Sequence, residues 1–328
     1  MRLPMFDYFK PSTVEEAYSL LTEYGEEAKI LSGGTALLVY LQQRLCTPKY
    51  VMSLKGIPGL DHISYDRQEG LRIGALATID SLSASSIIKG KYPILCQAAE
   101  DIGVPAVRQM GTIGGNLCLD TRCIYYNQSY SWRQVRPPCF KRGGNLCYAV
   151  KGGDRCFAVY QGDLAAALIA LETKVKLVKT SGEKVIPLSE FFTGRGENPN
   201  VLKPDELLTE IQLPCASESS AGAYQKLRIR GAIDFPLAGV AVVLDVDEGK
   251  VCRKARIVLS AVASAPLEVT GAEKVLKGKR VEEGLIEEAA EEALKKAHPL
   301  DNLSIDAGYR RGMVRVLLKR AVKQALGQ

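Results

Sequence analysis

No apolar run in the 328-residue chain is long enough to span a membrane. The N-terminal stretch "MRLPMFDYFKPSTVEEAYSLL" lacks the apolar core of a signal peptide. Lysine and arginine form no long block, so the net charge of +6 gives little support for nucleic acid binding, although it suits an acidic partner. There is no sequence repeat and no low-complexity segment. These absences point to the cytoplasm, where thiols stay reduced. Nine cysteines, an odd number, fit a disulfide framework badly. What remains is ordinary globular composition, 46% hydrophobic and 24% charged, with length for two or three domains with their own cores.

The patterning is mixed helix and strand. Ser12 with Glu15, or Thr13 with Glu16, makes a capping box; Val14, Ala17, Leu20, Leu21 and Tyr24 share one helical face, and Gly25 closes it. "AKILSGGTALLVYLQQRL" reads as strand, Gly-Gly, helix; "YVMSLKGI" and "GLRIGALATI" as strands, with a helix from about Asp80; "YPILCQAAEDIG" and "DLAAALIALE" as helices. "TKVKLVKTSGEKVIPL" reads as a hairpin turning at Ser181-Gly182, and "ELLTEIQLP" as one more strand. After the small-residue linker "CASESSAG" come long strands and two helices, about 282–297 and 306–325, a separate α+β domain.

Two glycine turns carry the first chemical signal. In "ILSGGTALL" a strand runs through Gly33-Gly34 and Thr35 into a helix, an order in which backbone amides and a helix N-terminus face an anion. The same order also makes a plain strand-to-helix turn, and neither the dinucleotide G-x-G-x-x-G nor the P-loop G-K-[ST] is present. "GTIGGNLC" is a second Gly-Gly turn, in which Asn116 tolerates a left-handed backbone. Two such loops suit a diphosphate held from both sides.

"LSGGTALL", "TIGGN", "QGDLAAALIALE", "ELLTEIQLP" and "AYQKLRIRGAIDFPLAGVAVVL" follow one another in an order that resembles the FAD-binding medium subunits of the xanthine dehydrogenase and carbon monoxide dehydrogenase family. The resemblance covers nearly the whole chain. It implies an α+β, PCMH-type two-subdomain FAD-binding fold, followed by a CO dehydrogenase flavoprotein-type C-terminal α+β domain. The subdomains would be residues 1–56 and 57–216, with an insertion at about 118–160, and the C-terminal domain 217–328. Family contacts to noncovalent FAD map onto Leu31, Ser32, Gly33, Gly34, Thr35, Ala36 and Leu37, onto Thr112, Ile113, Gly114, Gly115 and Asn116, and onto Asp163, Leu208 and Lys226, with Ile102 as an apolar contact to the flavin ring. Asp163, just before a helix, is also expected to be its N-cap. Lys226 would favour an anionic reduced flavin; without the resemblance it reads as a solvated strand lysine.

The insertion holds the second signal. Cys46, Cys96, Cys215 and Cys252 are scattered and read as inert thiols, whereas Cys118, Cys123, Cys139, Cys147 and Cys156 cluster. The last four are spaced C-x15-C-x7-C-x8-C in a segment rich in Gly, Arg, Pro, Tyr and Asn, too polar to order itself by apolar burial. A metal centre would supply that order. Spacing alone leaves free thiols, a zinc site and a [4Fe–4S] cluster open, although the two close C-x2–4-C pairs usual for zinc are missing. Here the chain resembles flavin subunits of the 4-hydroxybenzoyl-CoA reductase kind, in which an inserted loop carries a [4Fe–4S] cluster. That resemblance implies Cys123, Cys139, Cys147 and Cys156 as ligands and leaves Cys118 out. Tyr125, Tyr126 and Trp132 are expected to pack the insertion.

The same resemblance implies an oxidoreductase subunit with no substrate site of its own. Its partners would be a molybdopterin-containing large subunit and a [2Fe–2S] small subunit in a dimer of heterotrimers. Electrons from a low-potential donor such as ferredoxin would serve reductive dehydroxylation of 4-hydroxybenzoyl-CoA. The alternatives are the same scaffold in an oxidative aromatic or N-heterocycle hydroxylase, and a noncatalytic zinc-stapled FAD-binding module.

Overall fold

The structure is a computed structural model and describes residues 2–302 and 305–328. Among the described residues, three sheets of three or more strands follow one another along the chain, beside a two-stranded pair, Phe192–Arg195 with Asn198–Asn200. The first is parallel, in the spatial order Asp7–Phe9, Tyr50–Ser53, Ala28–Leu31. Helix Val14–Tyr24 covers it, with Thr13 as N-cap accepting from the Glu16 amide while the Glu16 carboxylate accepts from the Ser12 amide. Phe9, Tyr24 and Tyr50 stack their rings at one end of the sheet.

The second sheet is antiparallel, ordered Ile63–Asp66, Gly70–Gly74, Leu207–Leu213, Lys174–Lys179, Gly182–Pro187. The expected hairpin is its last pair. Helices Pro93–Glu100 and Leu164–Ala170 lie in the same core, and every residue of Leu164–Ala170 is buried. That helix is apolar all round because it has no solvent face: the C-terminal strands pack on it too.

The third sheet pairs Ser220–Leu227, Ala238–Val246, Cys252–Ser260 and Leu267–Glu268 antiparallel. Helices Thr270–Leu276, Glu283–Lys296 and Ala307–Ala325 close its other side. The last two fall where the apolar periodicity places them. Among the described residues no helix is long and apolar enough to cross a membrane.

The insertion departs from expectation. Its neck is closed by paired backbone bonds between Arg122 and Val159, each 2.8 Å, so chain positions 37 residues apart meet. Within it, Ser129 caps a short helix, Tyr130–Gln134, and Cys139 leads into a single turn, Phe140–Arg142. Its polarity is what orders it. Arg133 is buried and donates to the carbonyls of Gln43 (2.9 Å), Arg44 (2.8 Å) and Gln128, tying the segment to the end of helix Leu37–Gln42. Tyr125 packs against Trp132 and Tyr148, as expected of packing aromatics. A metal centre is therefore not the segment's only source of order.

Candidate functional site

A cleft of about 990 Å³ runs between the first and second sheets and reaches the loop before strand Ala238–Val246. It stands at the upper end of the roughly 300–1,000 Å³ usual for small-molecule sites. Ser32, Gly33, Gly34, Thr35, Ala36 and Leu37 line it from one side, Thr112, Gly114, Gly115 and Asn116 from the other, and Ile102, Asp163 and Leu208 complete it. Leu31 and Ile113, expected at the site, lie outside this lining, and Ile113 is fully buried in the core.

The two glycine loops do different work. In the first, Gly34 has φ +79°, a left-handed backbone that admits glycine cheaply. The amides of Gly33, Gly34, Thr35 and Ala36 make no hydrogen bond with the described chain, which leaves four donors in a row on the cleft wall. The second loop is not a left-handed turn but a short helix, Ile113–Leu117, and Asn116 does not have positive φ. Its amides are spent: Ile113 on Ala77, Gly114 on Ala75, Gly115 on the Thr112 hydroxyl, Asn116 on the Thr112 carbonyl. Thr112 also donates to Ser32 Oγ at 3.2 Å and so joins the loops directly. The amides left free for an anion are thus those of the first loop, and the second supplies a close wall.

Asp163 stands at the N-cap position, but its backbone is already helical and its carboxylate caps nothing. Asn116 Oδ1 accepts from the Leu164 amide at 3.3 Å instead. Asp163 Oδ1 accepts from Tyr224 Oη at 2.9 Å and pairs with Lys226 Nζ at 3.0 Å. Burial raises the Asp163 acid to about 6, against the pull of Lys226 and Tyr224. Lys226 is no solvated lysine: its side chain is 1% exposed and also donates to the Asp101 carbonyl at 2.8 Å. It lies behind the cleft wall and reaches the cleft through Asp163.

Sequence reasoning missed several groups here. Tyr224 is one: it stands two residues before the expected Lys226 on the same strand and so shares its face, a signal visible in "YQK". Tyr40 lines the cleft with a buried hydroxyl that makes no well-formed hydrogen bond among the described residues, and burial pushes its pKa up to about 12 against the pull of nearby Arg122. Nothing in "LLVYLQ" marks it out from a core residue.

Cys123, Cys139, Cys147 and Cys156 all line a second, small cavity, together with Tyr125, Tyr126, Phe140, Lys141 and Tyr148. Cys118 does not; it lines the large cleft, where burial pushes its thiol up to about 12. Desolvation also raises the thiols of Cys123 and Cys156, the latter to about 11. All nine cysteines are unpaired thiols. Among the described residues, no three His, Cys, Asp or Glu side chains are placed to hold a single metal ion.

With the fold and cleft in view, comparison with known proteins places the chain. The family described as "FAD binding domain in molybdopterin dehydrogenase" matches residues 4–216, and "CO dehydrogenase flavoprotein C-terminal domain" matches residues 222–325. The chain belongs to this family, the FAD-binding medium subunits of the carbon monoxide dehydrogenase and xanthine dehydrogenase kind. It is 30% identical to the carbon monoxide dehydrogenase medium chain of Hydrogenophaga pseudoflava, over 98% of this chain and 97% of that one. It is 28% identical to the 6-hydroxypseudooxynicotine dehydrogenase complex subunit alpha of Paenarthrobacter nicotinovorans, over 99% and 96%. A crystal structure of carbon monoxide dehydrogenase from Hydrogenophaga pseudoflava, lacking the Mo-pyranopterin moiety, superposes with a TM-score of 0.83 at 29% identity, covering 100% of this chain and 99% of that one.

The cleft suits the cofactor the family is named for. Four free amides answer a diphosphate, Asp163 can accept from sugar-like hydroxyls, Ile102 and Leu208 offer apolar contact, and the Tyr40 hydroxyl awaits a polar partner.

Proposed function

We propose that this chain is the flavin and iron–sulfur electron-transfer subunit of a molybdenum hydroxylase-family complex. The observation that carries the proposal is the gathering of Cys123, Cys139, Cys147 and Cys156, four residues spread over 34 positions, around one cavity beside the cleft. A zinc ion needs its sulfurs about 2.3 Å from one point, and among the described residues no three such side chains are placed to hold a single ion. A [4Fe–4S] cluster takes one thiolate at each iron and so accepts a wider ring.

Bound here, FAD and such a cluster would supply one- and two-electron redox chemistry. The chain's own residues then have defined tasks. Gly33 to Ala36 donate amides to the diphosphate, and Asp163, charged by Lys226 and Tyr224, orients the hydroxylated chain. Ile102 and Leu208 exclude water. The four cysteines hold the cluster and Cys118 stays out of the set.

The family supports a complex with large and small subunits, and the partners proposed are a molybdopterin-containing large subunit that holds the substrate site and a [2Fe–2S] small subunit, duplicated in a dimer of heterotrimers in the cytoplasm. The insertion favours reductive use, with an acidic low-potential carrier such as ferredoxin as donor and 4-hydroxybenzoyl-CoA as the acceptor dehydroxylated on the large subunit. A second direction is supported by the relatives, whose names are those of dehydrogenases acting on carbon monoxide and an N-heterocycle. Copurifying the subunits and assaying the complex decides. Dehydroxylation of 4-hydroxybenzoyl-CoA with a reduced low-potential donor supports the reductive use. Turnover only of an aromatic or N-heterocyclic substrate with an electron acceptor assigns the oxidative one.

A further inference from the structure

Two side chains line both cavities, Tyr126 and Lys141. Lys141 is the unusual one. Its side chain is 3% exposed, and its ammonium donates to Asp120 Oδ1 (2.6 Å), Thr121 Oγ1 (2.7 Å) and the Gly196 carbonyl (2.5 Å). All three ammonium protons are therefore committed, and the charge is fixed in place. The Tyr126 ring lies 5.2 Å from it, held by a hydrogen bond from its hydroxyl to the Leu45 carbonyl at 3.3 Å. Asp120, a third exposed, borders the large cleft and not the thiol cavity. Burying an ammonium is costly, and an apolar side chain would fill a partition at lower cost.

We propose that Lys141 and Asp120 form an electrostatic link that sets the reduction potentials on both sides of the partition: Lys141 raises the potential of the flavin and of the thiolate-bound centre, and Asp120 lowers that of the flavin. For the thiol cavity this rests on the iron–sulfur assignment above. A fixed cation favours whichever form of a neighbouring group carries one more electron, and a fixed anion opposes it. In a site of reduced dielectric, one such charge at the distance of a neighbouring cavity changes a one-electron equilibrium by about tenfold, about 59 mV. Lys141 is here a positioning charge and touches no reacting atom.

The experiment is potentiometric titration of the holo-subunit, with flavin followed by absorbance and the cluster by EPR, for wild type, Lys141→Met, Lys141→Arg and Asp120→Asn. Lys141→Met is expected to retain FAD, iron and sulfide, to lower the one-electron midpoint potential of the cluster by about 59 mV and to lower the two-electron midpoint of the flavin by about 30 mV. Asp120→Asn is expected to raise the flavin potential, and Lys141→Arg to leave both near wild type. Full cofactor content with unmoved potentials in Lys141→Met, or shifts of the same sign in Lys141→Met and Asp120→Asn, overturns the link and leaves Lys141 a staple of the insertion. If Lys141→Met does not hold its cofactors, Asp120→Asn decides: a flavin potential that falls or stays put overturns the link. Wild type without iron and sulfide removes the iron–sulfur assignment, and the flavin potentials of the same variants still test the link at the cleft.

Discussion

Gly33 packs on Met110 so closely that a β-carbon added to it would lie 2.0 Å from the Met110 carbonyl oxygen and 2.8 Å from Gly111 Cα. The first glycine loop is pressed against the backbone that leads into the second, and no side chain fits between. At Gly115 a β-carbon would meet only the hydroxyls of Ser32 (2.9 Å) and Thr112 (3.0 Å), the ends of short side chains. Gly33→Ala is therefore expected to destabilise the apoprotein by about 3 kcal/mol or more and to abolish flavin retention, as overpacking against backbone cannot relax. Gly115→Ala is expected to cost about 1 kcal/mol and to weaken flavin binding with the fold retained. Thermal melts and flavin per chain of the two variants check this; equal melting losses would contradict the assignment of the tight contact to Gly33.

The Asp163–Lys226 pair is expected to make flavin binding depend on pH. Asp163 titrates near 6 in the folded chain, above the ordinary aspartate value of 3.8, because burial outweighs the help of Lys226 and Tyr224. Asp101 nearby adds a small push in the same upward direction. The raised value means that Asp163 adds to apoprotein stability below about pH 4 and loses that contribution as pH rises through 6. Flavin affinity runs the other way if it needs the carboxylate: it is expected to fall about tenfold for each pH unit below 6. Lys226→Met removes the charge that holds the carboxylate ionised, so its affinity is expected to drop already at pH 7, and Asp163→Asn to remove the pH dependence. Fluorescence titration of FAD against the apoprotein from pH 5 to 8 measures all three. A wild-type affinity flat across that range would contradict the role given to Asp163.

Arg133 holds the insertion to the flavin-binding subdomain through two carbonyls, those of Gln43 and Arg44, and donates to a third, Gln128, within the insertion. Arg133→Ala leaves those carbonyls without their donor, a loss of about 3 kcal/mol of local stability. The exposed Lys151 and Arg155 give trypsin its sites there, since the bond after Arg136 precedes Pro137 and resists it. Limited trypsin digestion is expected to nick the variant at these sites much faster than the wild type. Equal rates would mean that other contacts order the segment.

What the sequence made legible follows from periodicity and short-range rules. The hairpin over 174–187 and the helices Glu283–Lys296 and Ala307–Ala325 were readable because period and turn chemistry are local. The strand–Gly-Gly–helix order of residues 28–42 was readable for the same reason. The fate of Asp163 was not. N-capping is a local rule, and it lost to Tyr224 and Lys226, which are some sixty residues away and arrive only with the third sheet. The amides of the second glycine loop are likewise spent on Ala75 and Ala77, partners that the motif itself does not contain. The insertion holds too few apolar residues to order itself by burial; cations donating to distant carbonyls order it, which composition does not report.

In the proposed assignment, Cys123, Cys139, Cys147 and Cys156 hold one [4Fe–4S] cluster beside the flavin and Cys118 does not. The most direct measurement is iron and acid-labile sulfide per FAD, with EPR of the dithionite-reduced protein, in the wild type and in the five single Cys→Ser variants. The expected result is about four iron and four sulfide per FAD in the wild type and in Cys118→Ser. Each of the other four variants should lose most of both while keeping FAD, since Gly33 to Ala36 lie outside the insertion. Zinc without sulfide in the wild type, or a cluster that survives Cys123→Ser and is lost in Cys118→Ser, would contradict it.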